Sequence, residues 1–295
     1  MPLLIELALF CLGLAFGSFL NVITLRYSPE RGFFNRAHVS GRSHCPHCHK
    51  TLSWYELIPL ASYMIQLGRC RVCQKRLTVQ YPIIEFTCGL LFLYAPSVLR
   101  GLFLFAGQNY IWYWALASFI WIAALLFLLA AFIIDVRHYI IPNSVNLSIF
   151  IIAIIWIFVG IYSGSLGSVY GGSFLKQFSA IFPTFSSILI NHIFGGIIAA
   201  LFFFSMVIFS RGRAMGMGDV KLIGALGFLF GWPDIIPIML LSFIIGAIVS
   251  AVLIISGKKK ITDKVPFGPF IVISTAIVFF FGAGLFGAYF GIIGL

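Results

Sequence analysis

Residues 110–135 read YIWYWALASFIWIAALLFLLAAFIID, an uncharged run that ends on an aspartate. A helix rises about 1.5 Å per residue, so about 20 apolar residues cross the hydrocarbon core of a bilayer. This stretch therefore predicts a membrane-spanning helix with a lone carboxylate at its end. The rest of the chain agrees with it. The 295 residues are 61% hydrophobic and 9% charged, whereas soluble chains carry about 25% charged residues.

The predicted fold class is an all-α polytopic membrane protein of about eight transmembrane helices, with a small cytoplasmic zinc-ribbon-like insertion. Candidate spans are 3–25, 82–98, 110–134, 144–164, 186–209, 220–233, 234–256 and 269–291. The sixth is short and ends at GWPD (231–234), which reads as a turn. Fusing the sixth and seventh would give a segment too long for one crossing, so a hairpin is expected. The first span lacks a basic leader, carries Glu6, and has Cys11 after the bulky Phe10. It reads as a retained helix and not as a cleaved signal peptide.

The net charge of +11 raises the question of a nucleic-acid or anionic-lipid partner. The placement of the charges decides it. Nine of the 19 basic residues lie in 26–81, and eight more lie in three later connections: Arg137, Arg211, Arg213, Lys221, Lys258, Lys259, Lys260 and Lys264. With eight spans and an outside N-terminus these all face the cytoplasm, leaving only Arg100 and Lys176 outside, as the positive-inside rule requires. The charge is a topology signal, and no nucleic-acid partner is expected.

Four regions follow: a first helix, 1–25; a polar cytoplasmic loop domain, 26–81; helices 2 and 3, 82–134; and a bundle of helices 4–8, 135–295, with Asp135 at its entry. A Gly/Ser-rich outer loop occupies 163–180. No repeat of fixed period is apparent. Gly13 and Gly17, four apart, predict a close helix–helix approach.

The loop domain contains CPHC at 45–48 and CRVC at 70–73. Paired CxxC turns at about this spacing each direct two thiolates at one tetrahedral ion, so Cys45, Cys48, Cys70 and Cys73 predict a Zn2+ site. Disulfides are rare in the cytoplasm, which favours a metal over a redox pair. His44, His47 and His49 flank the first pair and could replace a cysteine, although exposed neighbours are the simpler reading. Four protein ligands leave no open position, so the metal would be structural. Cys11 and Cys88 read as packing residues within spans.

Two acidic residues remain to be explained. Asp135 closes the third span, and Asp219 opens the sixth within RAMGMGDVKL (213–222). The predicted topology puts both at the cytoplasmic rim. Asp219 alone could be a helix cap, and Asp135 alone an interfacial charge. Together, two carboxylates in a low-dielectric site can share a proton, one acting as general base on water and the other polarising a carbonyl. That is aspartyl protease chemistry, and the glycines before Asp219 would let a substrate backbone approach.

The chain also carries GSFLNV (17–22), CPHCHKTLSWYELIPLASY (45–63), GRCRVC (68–73), YPIIE (81–85), FIIDVRHYIIPN (132–143) and GMGDVKL (216–222). In that order these motifs resemble the bacterial type IV prepilin peptidases, which also N-methylate their product and belong to the GxGD membrane aspartyl proteases. The resemblance covers almost the whole chain. It implies catalytic roles for Asp135 and Asp219, zinc ligation by the four cysteines, and cleavage of the basic leader of a type IV prepilin or type II secretion pseudopilin after a glycine. It further implies methylation of the new N-terminus with S-adenosylmethionine, involving Gly17, Asn21, Glu56 and Glu85, in a bacterial inner membrane. The competing expectations are a GxGD protease with other substrates, and a non-enzymatic transporter or scaffold with a zinc ribbon.

Overall fold

Ten helices carry the chain through the residues described in this computed structural model, which are 3–103, 110–163, 173–175, 185, 187–213, 215–260 and 263–293. Most of the expected outer loop, including Lys176, lies outside the described residues. The long helices are α1 (Leu3–Arg26), α4 (Gln80–Phe103), α5 (Tyr110–His138), α6 (Asn143–Ser163), α7 (Ile188–Phe209), α9 (Ile235–Ile255) and α10 (Gly268–Ile293). These seven are long and apolar enough to cross a membrane. The remaining elements are short: α2 (Arg36–Val39), a 3-10 turn at Trp54–Leu57, α3 (Ala61–Ile65) and α8 (Met217–Phe230). Among the described residues there is no strand, only two isolated β-bridges.

The chain divides into two compact units, residues 1–97 and 98–295. In the first, α1 and α4 run antiparallel, and glycine sets their separation. A Cβ on Gly13 would lie 2.5 Å from the Cys88 carbonyl oxygen, and one on Gly17 would lie 2.7 Å from Glu85 Cα. This is the close approach that the spacing predicts. Phe16 stacks on Phe92 and Phe10 meets Phe86 edge-on, adding apolar contact along the same seam.

The polar insertion between these helices contains a duplication that the sequence analysis did not find. In the first knuckle, Cys45 N–H bonds to Lys50 O, His49 N–H to Cys45 O, and Leu52 N–H to Ser43 O. In the second, Cys70 bonds to Lys75, Gln74 to Cys70, and Leu77 to Gly68, every bond displaced by 25 residues. The bridges His44–Thr51 and Arg69–Arg76 obey the same offset. So do the left-handed residues His49 (φ 58°) and Gln74 (φ 55°). The two segments, SHCPHCHKTL and GRCRVCQKRL, share only two cysteines, a lysine and a leucine. Beyond the cysteines little is shared, which is why periodicity did not reveal the pair.

In the second unit α5 is the most enclosed of the long helices, with 61% of its apolar window buried against 17% for α9. It packs on α6 and α10. Trp121, fully buried, gathers Phe174, Phe230 and Phe279 around it with ring centroids 4.9 Å away in each case. Phe174 belongs to the short described piece 173–175. Asp234 holds that piece, accepting hydrogen bonds from Ser173 Oγ and from the Phe174 N–H (2.7 Å).

Helix α8 is the short sixth span of the sequence reading. Its 14 residues would extend about 21 Å, less than the hydrocarbon core of about 30 Å. Ten of them are buried, so it is surrounded by protein and need not match the lipid thickness. It runs antiparallel to α7: Gly195 meets Gly227 and Gly231, while Gly224 meets Ala200. A Cβ on Gly227 would lie 2.5 Å from the Gly195 carbonyl oxygen, so backbones touch where any side chain would force them apart. The turn expected at GWPD is present between α8 and α9, and the antiparallel packing on α7 puts the start of α8 at the same end as the end of α7.

Candidate active site

Asp135 stands in the last turn of α5. That helix ends because Tyr139 takes a left-handed conformation (φ 57°) and Pro142 follows, whose missing N–H suits the start of the next helix. The side chain is 4% exposed. Its Oδ2 accepts the Gly268 N–H at 3.0 Å, one of the orphan donors at the start of α10. A Cβ on Gly268 would lie 2.6 Å from that oxygen and 3.0 Å from Ile141 Cδ1. Position 268 must therefore be glycine if the carboxylate is to sit here. Sequence reasoning missed this residue; the only signal was a Gly-Pro pair opening the last span.

Asp219 occupies the first turn of α8 and is 8% exposed. Its Oδ2 accepts the Gly216 N–H at 3.2 Å. Asp219 is thus not the N-cap, which is Gly216, but the third residue of the helix reaching back to the N-cap N–H. The fold brings it to the same place as Asp135 although 84 positions separate them. Ile141 ties the arrangement together, since it packs beside both Gly268 and Gly218. Each aspartate commits Oδ2 to a glycine N–H at a helix start. Oδ1 of each accepts no hydrogen bond from the described residues.

The cysteines converge equally well. The Sγ atoms of Cys45, Cys48, Cys70 and Cys73 all lie within 4.8 Å of one another, with Cys45–Cys73 and Cys48–Cys70 at 3.9 Å. A tetrahedral ion with metal–sulfur bonds of about 2.3 Å requires sulfurs about 3.8 Å apart, so the donor set fits such an ion. The Cys70 thiol is pulled down to about 6, chiefly by the Cys73 and Val72 N–H groups, with burial opposing. It is therefore ready to ligate as thiolate at neutral pH. No histidine joins the cluster: His44 contacts the Arg42 carbonyl and lies against the His49 ring.

Of the residues expected at the methyl-transfer site, two meet at one cavity and two do not. Glu56 and Glu85 line a cavity of about 290 Å³ together with Ser18, Tyr63, Cys45 and Cys70. Glu56 accepts the Ser53 N–H, and Glu85 accepts the Leu60 N–H at 2.8 Å. That bond braces Leu60, whose left-handed backbone (φ 57°) a branched residue adopts only under constraint. Gly17 and Asn21 instead lie on the seam of α1 with α4, where Asn21 donates to the Tyr81 carbonyl. Cys88 is fully buried in the same unit, a packing residue as expected.

Two family models match the chain: the bacterial peptidase A24 N-terminal domain over residues 11–98, and the type IV leader peptidase family over residues 121–251. Among curated relatives, a prepilin leader peptidase/N-methyltransferase of Burkholderia pseudomallei (strain 1026b) is 30% identical over 295 residues, covering 92% of this chain and 84% of the relative. A protein of the same name from Stutzerimonas stutzeri is 28% identical over 98% of this chain and 94% of its own length. One from Vibrio cholerae is 29% identical over 91% and 93% respectively. No solved structure matches. Matched along both units, with Asp135, Asp219 and the four cysteines inside the matched segments, the chain belongs to the type IV leader peptidase family.

Proposed function

We propose that this multi-pass membrane protein is an aspartyl endopeptidase that removes the basic leader of type IV prepilins after a glycine and then N-methylates the exposed residue. Asp135 and Asp219 form the catalytic pair. One observation carries the assignment: two buried carboxylates 84 positions apart are set around Ile141, each steadied through Oδ2 by a glycine N–H. One aspartate, ionised, takes a proton from water as the water oxygen attacks the scissile carbonyl. The other, protonated, gives its proton to the carbonyl oxygen. Collapse of the tetrahedral species breaks the C–N bond, and the amine leaves with the proton returned by the first aspartate. The low dielectric of the bundle keeps the two carboxylates from ionising together.

The names of the relatives imply an S-adenosylmethionine-type methyl donor. Such a donor supplies an electrophilic methyl on a cationic sulfur. The cavity in residues 1–97 suits it: Glu56 and Glu85 bring negative charge, and four thiolates on one Zn2+ would add a net charge of about −2 at its wall. Gly17 and Asn21 would support this site by holding α1 against α4. The basic residues of the 26–81 loop and later turns favour a bacterial inner membrane orientation with N-terminus outside and both sites cytoplasmic. Type II secretion pseudopilins are a further substrate class with the same leader chemistry.

The test uses membranes bearing wild type, Asp135→Asn or Asp219→Asn, a prepilin substrate, and gel shift with mass spectrometry. Both variants are expected to insert and to leave the leader attached, while still methylating a synthetic, already cleaved pilin peptide. Cleavage at the wild-type rate by either variant contradicts the pair.

A further inference from the structure

The first turn of α8, which carries Asp219, has few side-chain contacts around its glycines to fix it. A Cβ on Gly216 would meet nothing closer than 3.7 Å, and one on Gly218 would meet only Ile141, at 3.4 Å. A carboxylate that must meet a second one cannot be left on a fraying first turn, because small displacements are costly in catalysis. Beyond its bond to Gly216, a further hold comes from the first turn of α6. Asn146, 5% exposed, donates from Nδ2 to the Gly218 carbonyl at 3.3 Å. That carbonyl belongs to the peptide joining Gly218 to Asp219, so the bond fixes the plane from which the aspartate departs. One turn earlier, Asn143 Oδ1 accepts Lys221 Nζ at 2.8 Å. The two bonds, three residues apart on both helices, bracket Asp219.

A carbonyl only accepts, so the orientation of the Asn146 amide is set, and its Oδ1 is then buried without a partner among the described residues. Leaving a buried acceptor unsatisfied is unfavourable. A leucine would fill the space without that cost, so packing does not account for the amide.

We propose that Asn146 is a positioning residue of the peptidase site, holding the Gly218–Asp219 peptide so that Asp219 faces Asp135. This rests on the reading of Asp219 as one of the catalytic pair.

The test compares full-length wild type, Asn146→Leu, Asn146→Asp, Asn146→Gln and Asp219→Asn in membranes. Prepilin cleavage is resolved into kcat and KM, and methylation of a cleaved peptide serves as a second readout. The expected result is a fall in kcat of about 10- to 100-fold for Asn146→Leu and Asn146→Asp, with KM within about twofold and methyl transfer retained. Asn146→Gln, which keeps the N–H donor, should recover part of the loss. Wild-type kcat in the Leu and Asp variants beside an inactive Asp219→Asn overturns the proposal. An equal loss of cleavage and methyl transfer in the near-isosteric Asn146→Asp also overturns it, since Asn146 would then hold only the fold. Full cleavage by Asp219→Asn would instead overturn the reading on which the proposal rests.

Discussion

The two units of this molecule solve opposite problems. In residues 43–77 there is little to bury, and two short knuckles are brought together by the four cysteines they present. There the chemistry creates the fold. In residues 98–295 apolar packing is plentiful: Trp121 and its ring of phenylalanines form a tight aromatic core. There the fold comes first, and it brings together two carboxylates that lie 84 positions apart in the chain. A polar module without a core is fragile toward loss of a ligand, and a packed bundle is fragile toward loss of volume.

The sharpest way to break this comparison is to remove one of the four clustered cysteines. Cys45→Ser or Cys70→Ser, or a strong zinc chelator, should eliminate bound metal by elemental analysis and reduce methyl transfer by about 100-fold or more, with a much smaller loss of prepilin cleavage. Equal loss of both activities would mean that the bundle also depends on the knuckles.

Next in size is Gly268→Ala. Its new methyl would intrude on Asp135 Oδ2, which lies 2.6 Å from that position. Cleavage should fall by about 100-fold as the carboxylate is displaced, with metal content and methyl transfer unchanged. An active Gly268→Ala enzyme would show that the carboxylate works from another position.

Trp121→Ala removes a fully buried side chain and should destabilise the bundle by about 3–5 kcal/mol, read as a lowered thermal unfolding midpoint. The same measurement on the exposed Trp54→Ala should show almost no change.

The smallest expected effect concerns Asp234, at the end of α8 opposite Asp219. It accepts hydrogen bonds from Ser173 Oγ and the Phe174 N–H, so Asp234→Ala leaves buried donors without this partner and should destabilise the bundle by about 1–3 kcal/mol, read as a lowered thermal unfolding midpoint. An unchanged midpoint would show that the 173–175 piece is held by its rings alone.

Much of this was legible in the sequence. Spans longer than the bilayer leave an unmistakable composition, and the predicted 144–164 and 234–256 fall within one residue of α6 and α9 at each end. The pairing of Asp135 with Asp219 was readable because charge is rare here and both stood at span ends. What escaped depends on distance between segments. Gly268 and Asn146 are an ordinary glycine and asparagine until the fold sets one against Asp135 and the other against Gly218. The knuckle duplication escaped because hydrogen bonding, not side-chain identity, repeats. Gly17 was read for methyl transfer and for packing; its position against Glu85 Cα supports packing directly.

The central claim, that Asp135 and Asp219 act as one unit, is tested most directly by single-turnover cleavage with Asp135→Asn, Asp219→Asn and the double variant. Residues that work as a unit are grossly non-additive, so the double variant should be no slower than the slower single one, each well below wild type. Losses that multiply in the double variant, or a single variant at the wild-type rate, would contradict the shared site.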